Sequence, residues 1–252
     1  MIKFRRIKKG YFIPLLMIVM ILIAAVIYFR FTPLGYRMTV PYRDFIEIQR
    51  NVYVENGYSG DLETVNSLVN EARNRVLEFW GNLESAPTVI ISDNAATLAK
   101  LGADHDTATA ILFGAYSYIS VSDEYLNVDI LAHEMTHAEL HARLYKGRLP
   151  QTLIPTWFDE GVATQNDYRE QYSEETWHEK TKNGSDTIEL DRMDTPVEFY
   201  AGNADDRRFR YLISRHEIKE WIDKNGVDVL IRLIEKVNAG EDFYELYDCK
   251  VQ

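Results

Sequence analysis

The chain of 252 residues contains a single cysteine, Cys249. A lone thiol excludes an intrachain disulfide, and no thiol cluster is present that could bind zinc. We interpret Cys249 as an incidental residue, with pairing between chains or attachment of a lipid as the alternatives. The chain also lacks internal repeats and low-complexity tracts, which excludes solenoid and array architectures.

After the first ten positions, acidic residues clearly outnumber basic ones. Without those in residues 1–10, 23 basic residues remain against 39 acidic ones, a formal net charge of −16 for residues 11–252. A surface of this charge repels nucleic acids and anionic lipid headgroups. We therefore expect no nucleic-acid partner, and we interpret the acidity as a solubilising surface. The five leading basic residues are Lys3, Arg5, Arg6, Lys8 and Lys9.

Charge is missing altogether from residues 11–29. Nineteen helical residues span about 29 Å, close to the thickness of the hydrocarbon core of a bilayer. A cleaved signal peptide is the alternative, but its apolar region is usually shorter and ends at a small-x-small site, which this segment lacks. We predict that residues 11–31 form an uncleaved helix that anchors the chain by crossing the cell membrane once. Since residues 1–10 are basic, we expect them to stay cytoplasmic and the domain after the anchor to lie outside.

The remaining sequence predicts a spacer at residues 32–44 and one domain at residues 45–252, long enough for a substantial core. Alternating and periodic apolar residues indicate strands first and helices later, an α+β arrangement. The predicted strands are 45–54, 88–92, 110–113 and 115–122. The predicted helices are 61–81, 95–101, 127–146, 206–225, 227–237 and 242–247, and 168–194 is expected to form a surface loop or short helices.

Residues 133–137 read His-Glu-Met-Thr-His. In a helix, the i, i+4 spacing places His133 and His137 on one face, where both imidazoles can reach one metal ion. Glu134 lies at the edge of that face, where it can act on water beside the metal as a general base. The alternative is a surface helix with incidental histidines. We expect Gly147 and Pro150 to end this helix.

A catalytic zinc site also needs a third protein ligand. Glu160 is the candidate, because Pro155 can begin a second helix and Gly161 would let that helix approach the first one. Asp159 competes with Glu160, but adjacent residues differ by about 100° around a helix, so only one can face the metal. His141 shares the face of the two histidines, and we expect it near the ligands or on the surface.

Two segments resemble the gluzincin metallopeptidases, and most of all their compact "peptidase MA" group. The segments are residues 132–137, Ala-His-Glu-Met-Thr-His, and residues 155–163, Pro-Thr-Trp-Phe-Asp-Glu-Gly-Val-Ala. The resemblance implies a zincin-like domain with one Zn²⁺ per chain, bound by His133, His137 and Glu160. It also implies that Glu134 is the general base and that the substrate is a peptide or protein.

The resemblance extends to the flanks of the motif. Residues 114–121 resemble the edge strand that lines the substrate cleft of such enzymes, and Tyr116, Tyr118 and Ser120 alternate along it. We predict that this strand pairs with an extended peptide, the alternative being an ordinary sheet edge. The clan also uses a Tyr or His on a later helix to stabilise the oxyanion. By position this is Tyr211, with Tyr200 second and His216 third.

The chain departs from the large aminopeptidases of the clan in two respects. It has no Gly-x-Met-Glu-Asn-like element before residue 133, and the gap between His137 and Glu160 is a few residues longer. Both departures argue against an aminopeptidase that removes residues from the N-termini of its substrates. Asp129, Asp159 and Asp167 are candidates to orient the imidazoles.

The sequence therefore predicts a membrane-anchored zinc peptidase. One alternative is a membrane-tethered binding or scaffold protein whose zincin-like domain is inactive. The other is a metal-dependent hydrolase that acts on bonds other than peptide bonds. The oligomeric state stays open.

Overall fold

The computed structural model of the chain describes residues 9–103, 108–113, 116–144 and 153–248. The fold is mixed, with many helices and one small sheet. The helices are α1 Lys9–Phe31, α2 Pro33–Met38, α3 Leu62–Trp80, α4 Ala95–Leu101, α5 Val128–Leu144, α6 Thr156–Ala163, α7 Glu174–Lys180, α8 Pro196–Phe199, α9 Ala204–Asn225, α10 Val227–Ala239 and α11 Phe243–Asp248. The strands are β1 Phe45–Gln49, β2 Val52–Glu55, β3 Thr88–Ser92, β4 Thr109–Phe113 and β5 Tyr116–Ser122.

Helix α1 carries the apolar N-terminal segment. Its window Ile13–Phe31 contains 19 residues with a mean hydropathy of 2.5, and none of it is buried inside the structure. A helix of this length and composition is long and apolar enough to cross a membrane. Most of the basic leader and Cys249 lie outside the described residues.

The end of the predicted anchor is joined closely to the next helix. Thr32 caps α2 by accepting a hydrogen bond from the Gly35 backbone N–H at 3.0 Å. A Cβ atom at Gly35 would lie 2.3 Å from the Tyr28 carbonyl oxygen, so only glycine permits this approach of α2 to α1. The predicted spacer therefore contains an ordered helix, because Pro33 begins a helix here instead of interrupting one.

The five strands form one mixed sheet in the order β1-β2-β3-β5-β4. Strand β3 runs parallel to both β2 and β5, whereas the outer pairs β1-β2 and β4-β5 are antiparallel. The single strand predicted at residues 45–54 is wrong, since Asn51 adopts a positive φ of 62° and the chain reverses there. Asn tolerates this left-handed conformation better than most residues do, so it suits a turn between β1 and β2.

The prediction that residues 116–121 form a sheet edge is also wrong. Both edges of β5 are paired, one with β3 through Ile90 and Ser120 and the other with β4 through Ile111 and Tyr118. Among the described strands, the outermost one on this side of the sheet is β4, the strand before β5 in the chain. Sequence alternation identified both strands, but it does not indicate which of two consecutive strands lies outermost.

Helices cover both faces of the sheet. Alternate side chains of β2, β3 and β5, such as Val54, Ile91 and Ile119, pack into the main core with α3 and α5. The opposite face carries Ile90, which packs with Val40 and Leu101.

The predicted helix at residues 61–81 is confirmed as α3. The predicted helices at 95–101, 206–225, 227–237 and 242–247 are confirmed as α4, α9, α10 and α11 to within two residues at either end.

Arg37 of α2 is fully buried beneath this second face. Its guanidinium donates hydrogen bonds to the carbonyl oxygens of Leu101 at 2.7 Å, Thr109 at 3.1 Å and Tyr118 at 2.8 Å. Burial lowers the pKa of Arg37 to about 10, while the negative charge of Glu134 acts in the opposite direction. One side chain therefore ties α2 to α4, to the edge strand β4 and to β5.

We predict that Arg37→Ala destabilises the protein by about 2–4 kcal/mol, because three buried or partly buried carbonyl oxygens lose a charged donor. Urea unfolding of the full chain in detergent, followed by tryptophan fluorescence, measures this difference. The control is Arg232→Ala, since Arg232 is exposed on α10 and its removal should change the unfolding free energy by less than about 0.5 kcal/mol. Equal stability of the two variants would contradict the role of Arg37.

Candidate metal centre

Helix α5 places two histidines side by side in the interior. The Nε2 atoms of His133 and His137 lie 3.2 Å apart, and both residues are buried. The helix begins beside Asn127, whose side-chain oxygen accepts a hydrogen bond from the Ile130 backbone N–H at 2.9 Å. The motif therefore lies inside a regular helix, as its spacing predicts. Gly147 and Pro150, which we expected to end the helix, lie outside the described residues.

Helix α6 brings Glu160 to the same point. Its Oε2 atom lies 3.2 Å from Nε2 of His137 and 3.4 Å from Nε2 of His133. Gly161 does not face α5 as we expected. A Cβ atom there would lie 2.6 Å from the Ser214 carbonyl oxygen, so this glycine instead permits close packing of α6 against α9.

The three donor atoms have the spacing of a metal site. In a tetrahedral zinc site with ligands at roughly 2.0–2.1 Å, neighbouring ligand atoms lie roughly 3.3–3.4 Å apart. The three distances between His133, His137 and Glu160 are 3.2, 3.2 and 3.4 Å. This buried His-His-Glu cluster can therefore hold a metal ion.

Asp159 faces the opposite side of His137 from Glu160. Its Oδ1 atom lies 2.7 Å from Nδ1 of His137, and its Oδ2 atom lies 2.6 Å from Nε2 of His141. Asp159 therefore orients an imidazole and does not compete with Glu160 for the metal. His141 is buried with 1% of its surface exposed, so it belongs to this arrangement and not to the surface.

The other two aspartates that we considered are engaged elsewhere. Asp167 Oδ2 lies 3.9 Å from Nδ1 of His133, too far for a hydrogen bond, while its Oδ1 atom accepts one from Nε of Arg169 at 2.9 Å. Asp129 accepts a hydrogen bond from Nη1 of Arg75 at 2.6 Å. Of the three, only Asp159 is hydrogen-bonded to a histidine of the cluster.

Charge in the cluster is strongly coupled. Burial alone would raise the pKa of the Glu160 carboxyl, but the imidazoles of His137 and His133 together outweigh it and lower this pKa to about 2. Burial likewise opposes protonation of His137, yet the carboxylates of Glu160 and Asp159 raise its pKa well above the usual value. The site is therefore a buried anionic pocket that attracts positive charge.

The cluster opens into a cleft of about 320 Å³. Glu134 lines this cleft together with Tyr211 and Tyr200, which come from the helical C-terminal part. The Tyr200 hydroxyl donates a hydrogen bond to Oε1 of Glu160. Because of burial and the nearby charge of Glu160, the pKa of both tyrosines is raised, which keeps their hydroxyls protonated as donors.

The three candidates for the oxyanion contact are thereby separated in space. The Tyr211 ring lies 6.0 Å from the His133 ring, between centroids, at the wall of the cleft. His216 does not line the cleft, since it stacks on Trp177 at 3.5 Å and its Nδ1 lies 2.7 Å from Glu174 Oε2. Tyr200 is committed to the carboxylate of Glu160.

Strand β4, and not β5, forms the wall of the cleft next to the cluster. The residues of this segment that line it are Ala108, Thr109, Ala110 and Leu112. Since β4 is also the edge of the sheet, its outer side is where an extended chain could add a strand. Our sequence prediction assigned this place to residues 116–121, one strand too late.

Comparison of the chain with protein-family models finds no match, and comparison with curated proteins finds none either. Sequence reasoning missed one part of the candidate site, the contact of His141 with Asp159. The available signal was that His141 is placed one helical turn after His137, at the same i, i+4 spacing as His137 after His133.

We predict that Asp159→Asn weakens metal affinity, with Zn²⁺ as the probe, by about 10- to 100-fold, because His137 loses the carboxylate that orients it. Competition with a zinc chelator measures the affinity. Asp167→Asn is the matched control, since Asp167 makes no hydrogen bond to His133, and it should have a much smaller effect. Equal losses in the two variants would contradict a specific role for Asp159.

Proposed function

We propose that this chain is a membrane-anchored zinc peptidase of the gluzincin type with a zincin-like domain. One observation carries the proposal: Nε2 of His133, Nε2 of His137 and Oε2 of Glu160 converge beside Glu134 at the wall of an open cleft. Two imidazoles and one carboxylate are a ligand set of catalytic zinc sites, which keep a further position open. The resemblance of the two sequence motifs to gluzincins supports the same assignment.

The proposed chemistry is hydrolysis of a peptide bond by water. When bound, zinc would acidify water and polarise the scissile carbonyl group. Glu134 accepts the proton of the attacking water and then transfers it to the leaving amine. Tyr211 donates a hydrogen bond to the developing oxyanion. Tyr200 and Asp159 position Glu160 and His137 through the hydrogen bonds that they make.

The proposed substrate is a peptide or protein segment in extended conformation. Such a segment would pair with the outer edge of β4 and lie along the cleft beside the cluster. Small side chains at Ala108 and Ala110 leave room for the side chains of this segment. No contact with nucleic acid is proposed, since the chain beyond residue 10 is strongly acidic.

We further propose that α1 spans the cell membrane once. The basic leader of residues 1–10 would stay on the cytoplasmic side, so that the cleft faces outward. Helix α1 is exposed along its apolar window, which supports contact with lipid.

We predict that Glu134→Gln keeps about one zinc per chain but lowers peptide hydrolysis by about 10²- to 10⁴-fold, the usual contribution of a general base. His137→Ala should lose both zinc and hydrolysis, because one of three ligands is removed. Elemental analysis of the purified full chain gives zinc content, and a mixed peptide library gives turnover. Glu124→Gln is the control, since Glu124 is exposed and should behave as the wild type.

Unchanged hydrolysis in Glu134→Gln would refute the mechanism. Zinc binding without cleavage of any peptide by the wild type would instead favour the membrane-tethered binding protein. Absence of zinc from the wild type, even after reconstitution, would refute the metal site itself.

We predict that Tyr211→Phe lowers kcat by about 10²- to 10³-fold without changing zinc content, because one oxyanion donor is lost. Tyr200→Phe should instead weaken zinc affinity, since the Tyr200 hydroxyl is bonded to the ligand Glu160. Each variant removes one tyrosine hydroxyl and nothing else. Steady-state kinetics together with zinc titration therefore separate the role of Tyr211 in turnover from that of Tyr200 in metal binding. Full activity of Tyr211→Phe would contradict its assignment.

A further inference from the structure

A second cleft, of about 330 Å³, lies at the far end of α1 from the N-terminus. Three of the side chains that line it are basic: Arg30, Arg43 and Lys100. Phe31 and Tyr36 supply aromatic walls, and no acidic residue is among those that line the cleft. This concentration of positive charge contrasts with the net charge of −16 of residues 11–252.

None of the three cations is neutralised by a carboxylate within the residues that the structure describes. Arg30 and Lys100 are exposed and form no ion pair there. Arg43 is held in place by two neutral oxygens, since its Nε donates to Oγ1 of Thr39 and its Nη2 to the Phe29 carbonyl, both at 2.7 Å. Its guanidinium also lies 3.8 Å from the centre of the Tyr36 ring. The cleft is therefore preformed and keeps its charge available.

The depth of the cleft follows from the length of the helix. The apolar window Ile13–Phe31 spans roughly 29 Å, so its last residues reach the boundary between hydrocarbon and headgroups. Arg30 and Phe31 belong both to this window and to the wall of the cleft. The basic side chains thus lie at the depth of lipid phosphates.

We propose that this cleft binds the phosphate group of an anionic phospholipid in the outward leaflet. Phosphate oxygens accept hydrogen bonds from guanidinium and ammonium groups, and Phe31 and Tyr36 can contact the adjoining glycerol and acyl carbons. Since the rest of the domain is acidic, attraction to anionic lipid must come from this local cluster. The proposal rests on the assignment of α1 as a membrane span and is independent of peptidase activity.

The test uses the full chain in nanodiscs that contain equal amounts of phosphatidylglycerol and phosphatidylcholine. Native mass spectrometry of the released protein measures which lipid it retains. We expect the wild type to retain phosphatidylglycerol, and Arg30→Gln/Lys100→Gln to lose this preference by about tenfold or more, since each basic residue near the surface adds severalfold to anionic lipid binding. Both residues are exposed and form no ion pair within the described residues, so we expect the double variant to fold as the wild type does.

The control is Lys224→Gln/Arg232→Gln, which removes the same charge from two exposed positions of the helical C-terminal part. This variant should retain phosphatidylglycerol as the wild type does. Equal losses in both double variants would overturn the site in favour of a general charge effect. Equal retention of the two lipids by the wild type would also overturn it.

A third arm separates lipid from free phosphate. Inorganic phosphate is titrated into the detergent-solubilised chain, and phosphatidylglycerol retention is measured again. Displacement of the lipid only at concentrations far above those in cells supports the lipid assignment. Tight binding of inorganic phosphate that depends on Arg30 and Lys100 would overturn it. Failure of the chain to enter nanodiscs would refute the membrane span and the lipid site together, whereas zinc content and hydrolysis report separately on the peptidase.

Discussion

Three donor atoms from two helices lie within 3.4 Å of one another in a buried site. Such close contacts between oxygen and nitrogen lone pairs are unfavourable in a site shielded from water, unless a positive charge lies among them. The surrounding structure maintains this arrangement. Gly161 permits close packing of α6 against α9, and hydrogen bonds join Asp159 to His137 and Tyr200 to Glu160. Glu134 takes its position from α5 as the two histidines do, whereas Tyr211 lies on α9 and Tyr200 directly follows α8.

Much of the site could be predicted because its information is local. The i, i+4 spacing of His133 and His137 defines one helix face, and rotation by one residue separates Asp159 from Glu160. Glu160 was a candidate for the same site both from the helix signals around it and from the resemblance, but the sequence does not give its position relative to His137, which precedes it by 23 residues. The structure now places the two within 3.2 Å.

What the sequence could not predict depends on long-range packing. Alternation identified β4 and β5, but whether a strand is an edge depends on partners such as β3, which precedes it by many residues. Pro33, Gly35 and Pro41 indicated a spacer. Nothing local shows that Arg37 reaches carbonyl oxygens 64 to 81 residues away. Such contacts exist only after the sheet has formed.

The bridge made by Arg37 determines which part of the chain must stay joined to the domain. Cleavage of the backbone between α1 and Thr32 would release a domain that retains α2, with the guanidinium still under the edge strand. Cleavage only a dozen residues later would leave Arg37 with α1 and would deprive Thr109, in the wall of the cleft, of its charged donor. A cut at the first position thus preserves this support of the cleft wall, and a cut at the second removes it.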